Sequence, residues 1–181
     1  PATGRITVTF LISNGSTQTI MKEVVFDAGK KADIVWTTVE YTGTALTAKD
    51  LGGAKNIRVT GDTGSGSAPA LNNILAVLKN PANGVVNIDL SGVIHNVALP
   101  SNAFNYSEGG NAIIETIILP KTLSDIWGNA FANCTALKSV TIVTNREISS
   151  NNTATWFTNC NSLESIFVPA DKVETYKTNW G

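Results

Sequence analysis

Few residues of this chain have the type and spacing to do chemistry. Asp62-Thr63-Gly64-Ser65 has the pattern of a loop that presents a carboxylate for peptide hydrolysis. That chemistry needs two such carboxylates sharing one proton, contributed by a duplicated half or a dimer. The sequence holds no second copy, and Thr60-Gly61 precedes the motif where an apolar strand would be needed, so a solvated loop is the expectation. His95 is the one histidine and has no neighbouring Cys with which to build a metal site or a base-nucleophile pair, so it reads as a loop histidine. Cys134 and Cys160 are the two cysteines. They could form a disulfide, if brought onto adjacent strands about 4.8 Å apart, or serve as small buried hydrophobes. No Ser/His/Asp set, phosphate-binding glycine loop or paired-carboxylate constellation is recognisable. Neither a cofactor nor a metal is expected, and the chain reads as non-catalytic.

The elements that hold these residues repeat. Ala130-Phe131-Ala132-Asn133-Cys134 through Leu137, Val140 and Ile142 returns as Trp156-Phe157-Thr158-Asn159-Cys160 through Leu163, Ile166 and Val168, 26 residues later. A period of roughly 20 to 50 residues means stacked supersecondary units. The unit core is an apolar residue, two variable positions, an apolar residue, one variable position and another apolar residue. Upstream it is filled by Ile114, Ile117 and Leu119, then Val85, Ile88 and Leu90, and more loosely by Ala54, Ile57 and Val59. Counted on the central residue, the steps are 31, 29, 23 and 26, with insertions expected in the loops. Phe104, Phe131 and Phe157 form a second ladder, and Leu99 and Ile126 each sit five residues ahead of their Phe.

These residues resemble the BspA-like leucine-rich-repeat family of bacterial surface proteins. Leu119-Pro120, Ile126, Ala130-Phe131, Asn133-Cys134, Leu137, Val140 and Ile142 carry the resemblance, with Leu99-Pro100 and Ala103-Phe104. The ending from Val168-Pro169 to Gly181 is similar to the family's C-terminal tail. The match is good from about residue 85, thin from 54 to 84 and absent before that. Trp127 stands where the family has Gly, and Trp156 where it has Ala. The resemblance implies an α/β, mainly β fold: a right-handed leucine-rich-repeat solenoid of about four or five coils with short capping helices. It favours Cys134 and Cys160 as a ladder of inward residues. It also implies a secreted or cell-surface protein of a Bacteroidetes-like bacterium, lipid-anchored as a lipoprotein or released after signal-peptide removal. The implied role is adhesion or protein binding on host or bacterial surfaces.

Composition agrees with a surface module. Of the 181 residues, 43% are hydrophobic, enough for a continuous core. Only 15% are charged, against roughly 25% in an average domain. A net charge of −1 gives no reason to expect nucleic acid or an anionic membrane as partner. No apolar run approaches the roughly 20 residues of a membrane span. The chain starts with Pro1, and its one Met is Met21, so it reads as a processed or truncated product. A monomer is expected.

Residues 1–50 read as a separate β-hairpin or sheet segment, antiparallel, covering or preceding the first coil. Ile6, Val8, Phe10 and Ile12 alternate, Asn14-Gly15 supplies a turn, and Ile20, Lys22, Val24 and Phe26 continue beyond it. Asp27 to Lys30 is a second turn, and Ile34, Trp36 and Tyr41 lie on a third strand. Residues 51–181 are then the repeat domain. Gly61 to Ser67 is a loop, Pro69 starts a helix with Leu71, Ile74, Leu75 and Leu78 on one face, and Asp171 to Thr178 forms a closing helix with Val173, Tyr176 and Trp180.

Aligning the strands predicts three outward rows. Lys55, Val86, Glu115, Lys138 and Glu164 form the first, whose alternating charges set register. Asn56, Asn87, Thr116, Ser139 and Ser165 form a polar second row. Arg58, Asp89, Ile118, Thr141 and Phe167 form the third, pointing away from the core. Ile118 and Phe167 should then be exposed, with Thr141 between them, and are candidate partner contacts together with the loop residue Trp127. The inward set is Phe104, Phe131, Phe157, Cys134, Cys160, Leu137, Leu163, Val140, Ile166, Ile142 and Val168. An alternative reading is a glycan-binding surface protein that stacks sugars on Trp127, Trp156 or Tyr106. The Asn-x-Ser/Thr matches at Asn14, Asn105, Asn133 and Asn151 carry little meaning in a bacterial protein.

Overall fold

The computed structural model describes residues 6–13, 19–26, 35–64, 68–94, 97–106, 110–148 and 153–180. The chain opens with β1 (Ile6–Ser13) and β2 (Thr19–Phe26), an antiparallel pair. Next come β3 (Thr37–Tyr41), β4 (Asn56–Asp62), β5 (Asn87–Ile94), β6 (Val97–Leu99), β7 (Thr116–Ile118), β8 (Leu123–Ile126), β9 (Ser139–Thr141) and β10 (Ser165–Phe167). All except β6 and β8 join one sheet in the order β1-β2-β10-β9-β7-β5-β4-β3. From β3 to β10 every pairing in it is parallel. The central residues of the five apolar triplets stand in one register: Ile57 opposite Ile88, Ile88 opposite Ile117, Ile117 opposite Val140, and Val140 opposite Ile166. The spacing therefore predicted the pairing residue for residue, because a one-residue slip would turn every triplet out of the core.

Parallel neighbours need a crossover. Between β4 and β5 it is the helix α1 (Ala68–Leu78), whose Leu71, Ile74, Leu75 and Leu78 are buried as the helical spacing predicts. Later crossovers use the two-stranded parallel sheet of β6 and β8, where Leu99 lies opposite Ile126. They also use the aromatic ladder: the Phe104 and Phe131 rings stack 5.4 Å apart, and those of Phe131 and Phe157 5.0 Å apart. A single hydrophobic core runs from Val39 to Tyr176 between these layers and includes the whole expected inward set. After the short helix α2 (Thr153–Trp156), the chain ends in α3 (Val173–Trp180), following a 3-10 turn at Ala170–Lys172. Val173 and Tyr176 are buried, and the Tyr176 hydroxyl donates to the Arg146 carbonyl at 3.1 Å. The Trp180 side chain lies outside the described residues.

The N-terminal segment differs from the expectation in two ways. β3 is not a third antiparallel strand; it pairs in parallel with β4, Val39 opposite Val59 and Tyr41 opposite Gly61. Period-two alternation identifies a strand but carries no information on its partner or direction. Gly61 makes the pairing possible: its φ is +121°, and a Cβ there would collide with the Tyr41 carbonyl. The hairpin, for its part, does not cover the first coil. β2 lies parallel to β10 at the opposite edge, Ser165 opposite Val25 and Ile166 opposite Phe26. The turns read at Asn14-Gly15 and Asp27 to Lys30, and Ile34, lie outside the described residues.

Candidate interaction face

Each short strand turns alternate residues away from the core, and in-register stacking arranges them in rows. The polar second row is a hydrogen-bonded chain. Thr116 Oγ1 donates to Asn87 Oδ1 at 2.6 Å, Asn87 Nδ2 to Asn56 Oδ1 at 2.8 Å, and Asn56 Nδ2 to the Val35 carbonyl at 3.1 Å. Such chains polarise one another and fix side-chain orientation. In the first row, Lys138 Nζ meets Glu115 Oε2 at 2.9 Å, both ends well exposed. That pair adds at most about 1 kcal/mol.

The third row divides in two. At the β4–β5 end, Arg58 Nε donates to Asp89 Oδ2 at 2.9 Å, and the guanidinium lies over the Trp36 ring, 5.5 Å from its centroid. The Asp89 side chain is fully buried (0% exposed), whereas that of Arg58 is 37% exposed. Further along, Ile118 is only 5% exposed. This corrects the expectation that it is a free apolar contact. Ile118 lies outside the main core cluster, flanked in register by Asp89 and Thr141. Alternation decides which face a side chain takes, while coverage depends on neighbours about 4.8 Å away. Thr141 and Phe167 are half-buried on the same face. The approach of Trp36 to the Arg58–Asp89 pair was not foreseen, because Trp36 had been placed in a separate sheet. The opposite charges at one row position, 31 residues apart, were the available signal.

The two tryptophans that depart from the family pattern have opposite fates. Trp127 follows β8 in a loop and is 50% exposed, its backbone N–H bonded to the Leu99 carbonyl at 2.9 Å. Trp156 is 1% exposed, which removes it as a sugar-stacking platform. It takes the position that Ala103 and Ala130 hold in earlier copies, and both of those are buried too. Tyr106 is half-buried.

The chemical candidates resolve into structure. Asp62 ends β4, exposed, and its Oδ1 accepts from the Gly64 N–H at 2.7 Å in an Asx turn. Ser65 and His95 lie outside the described residues. Among the described residues no three His, Cys, Asp or Glu side chains converge as a metal site would require. Cys134 and Cys160 are free, buried thiols donating to carbonyls of the preceding coil: Cys134 Sγ to Phe104 O at 3.5 Å, Cys160 Sγ to Phe131 O at 3.0 Å. Burial pushes the Cys134 thiol far above its ordinary value; nearby Cys160 adds to this and Lys79 opposes it. A thiol held neutral in this way is no nucleophile.

One residue of this ladder escaped the sequence reading. Asn111 precedes Ile114 by three residues, as Cys134 precedes Leu137 and Cys160 precedes Leu163. It is buried, its Nδ2 donates to the Lys79 carbonyl at 2.8 Å, and its Oδ1 accepts from the N–H groups of Ile113 and Ile114 at 3.0 Å. Counting back from the apolar triplet instead of forward from the Phe would have found it. The asparagines at these loop positions have a backbone cause: Asn102, Asn129, Asn133 and Asn159 all adopt φ between 58° and 60°. Asn tolerates this left-handed conformation better than most residues, which accounts for Asn133 apart from any glycosylation.

Strands of one apolar triplet each, stacked in parallel register with crossovers on one side, define a leucine-rich-repeat protein. Residues 94–180, just under half of the chain, match the BspA type leucine rich repeat region in 6 copies. Among solved structures, a leucine rich cell surface protein from Faecalibacterium prausnitzii superposes with a TM-score of 0.42 at 16% identity. The superposition covers 87% of this chain and 38% of that one. No curated protein matches the chain. Among the described residues, no helix is long and apolar enough to cross a membrane.

Proposed function

We propose that the chain is a non-catalytic protein-binding module of a secreted or cell-surface bacterial protein, acting in adhesion to host or other bacterial surfaces. The observation that carries this reading is the sheet face itself. Six parallel strands, β3 to β5, β7, β9 and β10, present aligned rows of outward side chains, and repeat proteins bind through such extended surfaces. We read the coil as right-handed, since parallel crossovers are so in about 98% of cases, with about four or five turns. We read the module as monomeric, and as lipid-anchored or released after signal-peptide removal. Phe167 and Thr141 are the expected partner contacts of the β9–β10 end.

The test is binding of the purified chain to immobilised fibronectin-type host proteins and to intact bacterial cells. Saturable binding that is abolished by Thr141→Arg supports the face. Binding to proteins that is unchanged in Thr141→Arg sinks it.

A second reading, a glycan-binding surface protein, has one observation in its favour: Trp127 is 50% exposed in a loop where the family has glycine. A glycan array decides it. Sugar binding lost in Trp127→Ala, with silence on the protein panel, would replace the first reading.

A further inference from the structure

We propose that Arg58 is a built receptor for a carboxylate, and that its occupant is an acidic side chain of a protein segment bound across the β3–β5 end of the sheet. The proposal rests on the protein-binding reading of this face.

The geometry begins with which nitrogen is used. Arg58 engages Asp89 through Nε, at 2.9 Å. Its Nη1 and Nη2 make no hydrogen bond to any described residue. The end of the fork, two parallel donors matched to a carboxylate, is therefore left facing outward. The plane of that fork is fixed twice. Trp36 lies against it, and Asp89 is itself held on both oxygens, the second accepting the Ser91 N–H at 2.8 Å. Asp89 also opens a β-bulge, since the β4–β5 register shifts between Arg58 and Thr60. Bulges commonly re-aim a side chain next to a functional site.

The fold does not need this device. At the same row position the next strands carry Ile118, Thr141 and Phe167, so uncharged side chains complete the sheet there. Taking a carboxylate out of water costs several kcal/mol, and apolar replacement of a buried pair is often neutral or stabilising. A fully buried Asp89 that holds one half-exposed arginine in place is explained by what the arginine meets outside. The flanking residues of the polar row, Asn56 and Asn87, are neutral. Thr38, opposite Arg58 on β3, is neutral too, and Glu40 two residues further along β3 is an exposed carboxylate on the same face. One fork in this setting suits a single carboxylate within a protein segment; a polyanionic glycan is drawn by arrays of cations.

The experiment follows the Nε–H resonance of Arg58 by 15N NMR, with two blocked peptides and one polysaccharide as probes. The peptides are Thr-Val-Glu-Val-Thr and its Gln counterpart, and the polysaccharide is polygalacturonate. The expected result is a saturable shift with the Glu peptide and affinity at least about tenfold lower for the Gln peptide. This comparison uses the unmodified protein and depends on no variant folding. Arg58→Lys keeps the charge but not the fork and should lose about tenfold in affinity. Asp89→Asn should lose less, because the fork remains but is no longer held. Equal response to both peptides, full affinity in Arg58→Lys, or binding of polygalacturonate alone would each overturn the proposal. If Arg58→Lys leaves binding to whole surface proteins intact, the receptor falls and the wider reading stands. If the Glu peptide binds at Arg58 while no surface protein binds, the wider reading falls instead.

Discussion

The two ends of the parallel sheet reach the same backbone arrangement by different means. From β6 to β10 the coils are built from interchangeable parts: stacked Phe104, Phe131 and Phe157 rings, thiols donating to the preceding coil, and asparagines at φ near 60°. From β3 to β5 none of these recurs. There the crossover is the helix α1, the strand pairing is broken by a bulge, and a buried Asp89 holds Arg58, whose guanidinium lies over Trp36. The family match begins at residue 94, between these two styles, yet the register of central apolar residues passes through unbroken. The apolar triplet is thus sufficient for the sheet. The remaining repeat residues serve the loops and crossovers, where local substitutes work as well.

Substitutions can break or sharpen that contrast. The largest effect is expected for Phe131→Ala, which empties the centre of the ring stack. A Phe→Ala change in a core costs about 3–5 kcal/mol, read as a shift of the urea midpoint. Asn111→Leu comes next. It strands the Lys79 carbonyl and the Ile113 and Ile114 N–H groups, and should cost about 2–3 kcal/mol. Cys134→Ser at the equivalent position keeps a donor to Phe104 and should cost only about 1 kcal/mol. Equal losses at the two positions would show that the Asn and Cys coils are not equivalent solutions.

The buried thiol also gives the β7–β10 end a pH signature. The folded thiol value lies above the unfolded one, so its stabilising contribution is intact below the unfolded value. It is lost as pH climbs past the ordinary thiol range of about 8–9. Stability measured across that range should fall less in Cys134→Ser than in the unmodified chain. At Asn133 both Ala and Gly lose the bond from Asn159 Nδ2 at 2.7 Å, but only Ala is strained at φ 60°. Ala should therefore be the worse of the two by about 1 kcal/mol. The smallest effect is expected for Lys138→Ala, whose exposed partner Glu115 allows a change within about 0.5 kcal/mol.

The legible part of the fold was the part with a period. The triplets, the Phe ladder, the α1 face and the closing helix around Tyr176 all follow from spacing, because burial recurs at fixed intervals along each element. The candidate face was only half legible. Its rows could be drawn, and the hydrogen bonds linking Asn56, Asn87 and Thr116 fit the polar row. Exposure within a row could not be drawn, and Ile118 and Trp156 show why. Both occupy positions where the pattern names a residue type, but neighbouring strands and coils decide how much of it water touches.

From sequence alone came the repeat, the register of its central residues, the family resemblance and the inward direction of Phe131, Cys134 and Leu137. These depend on local periodicity and on the rule that one-residue slips invert a strand. Only the tertiary structure decided that β3 extends the parallel sheet, that the β1–β2 hairpin lies beside β10, and that Trp36, Arg58 and Asp89 form one unit. Partner choice and side-chain coverage are set between segments distant in the chain, and no spacing along it encodes them.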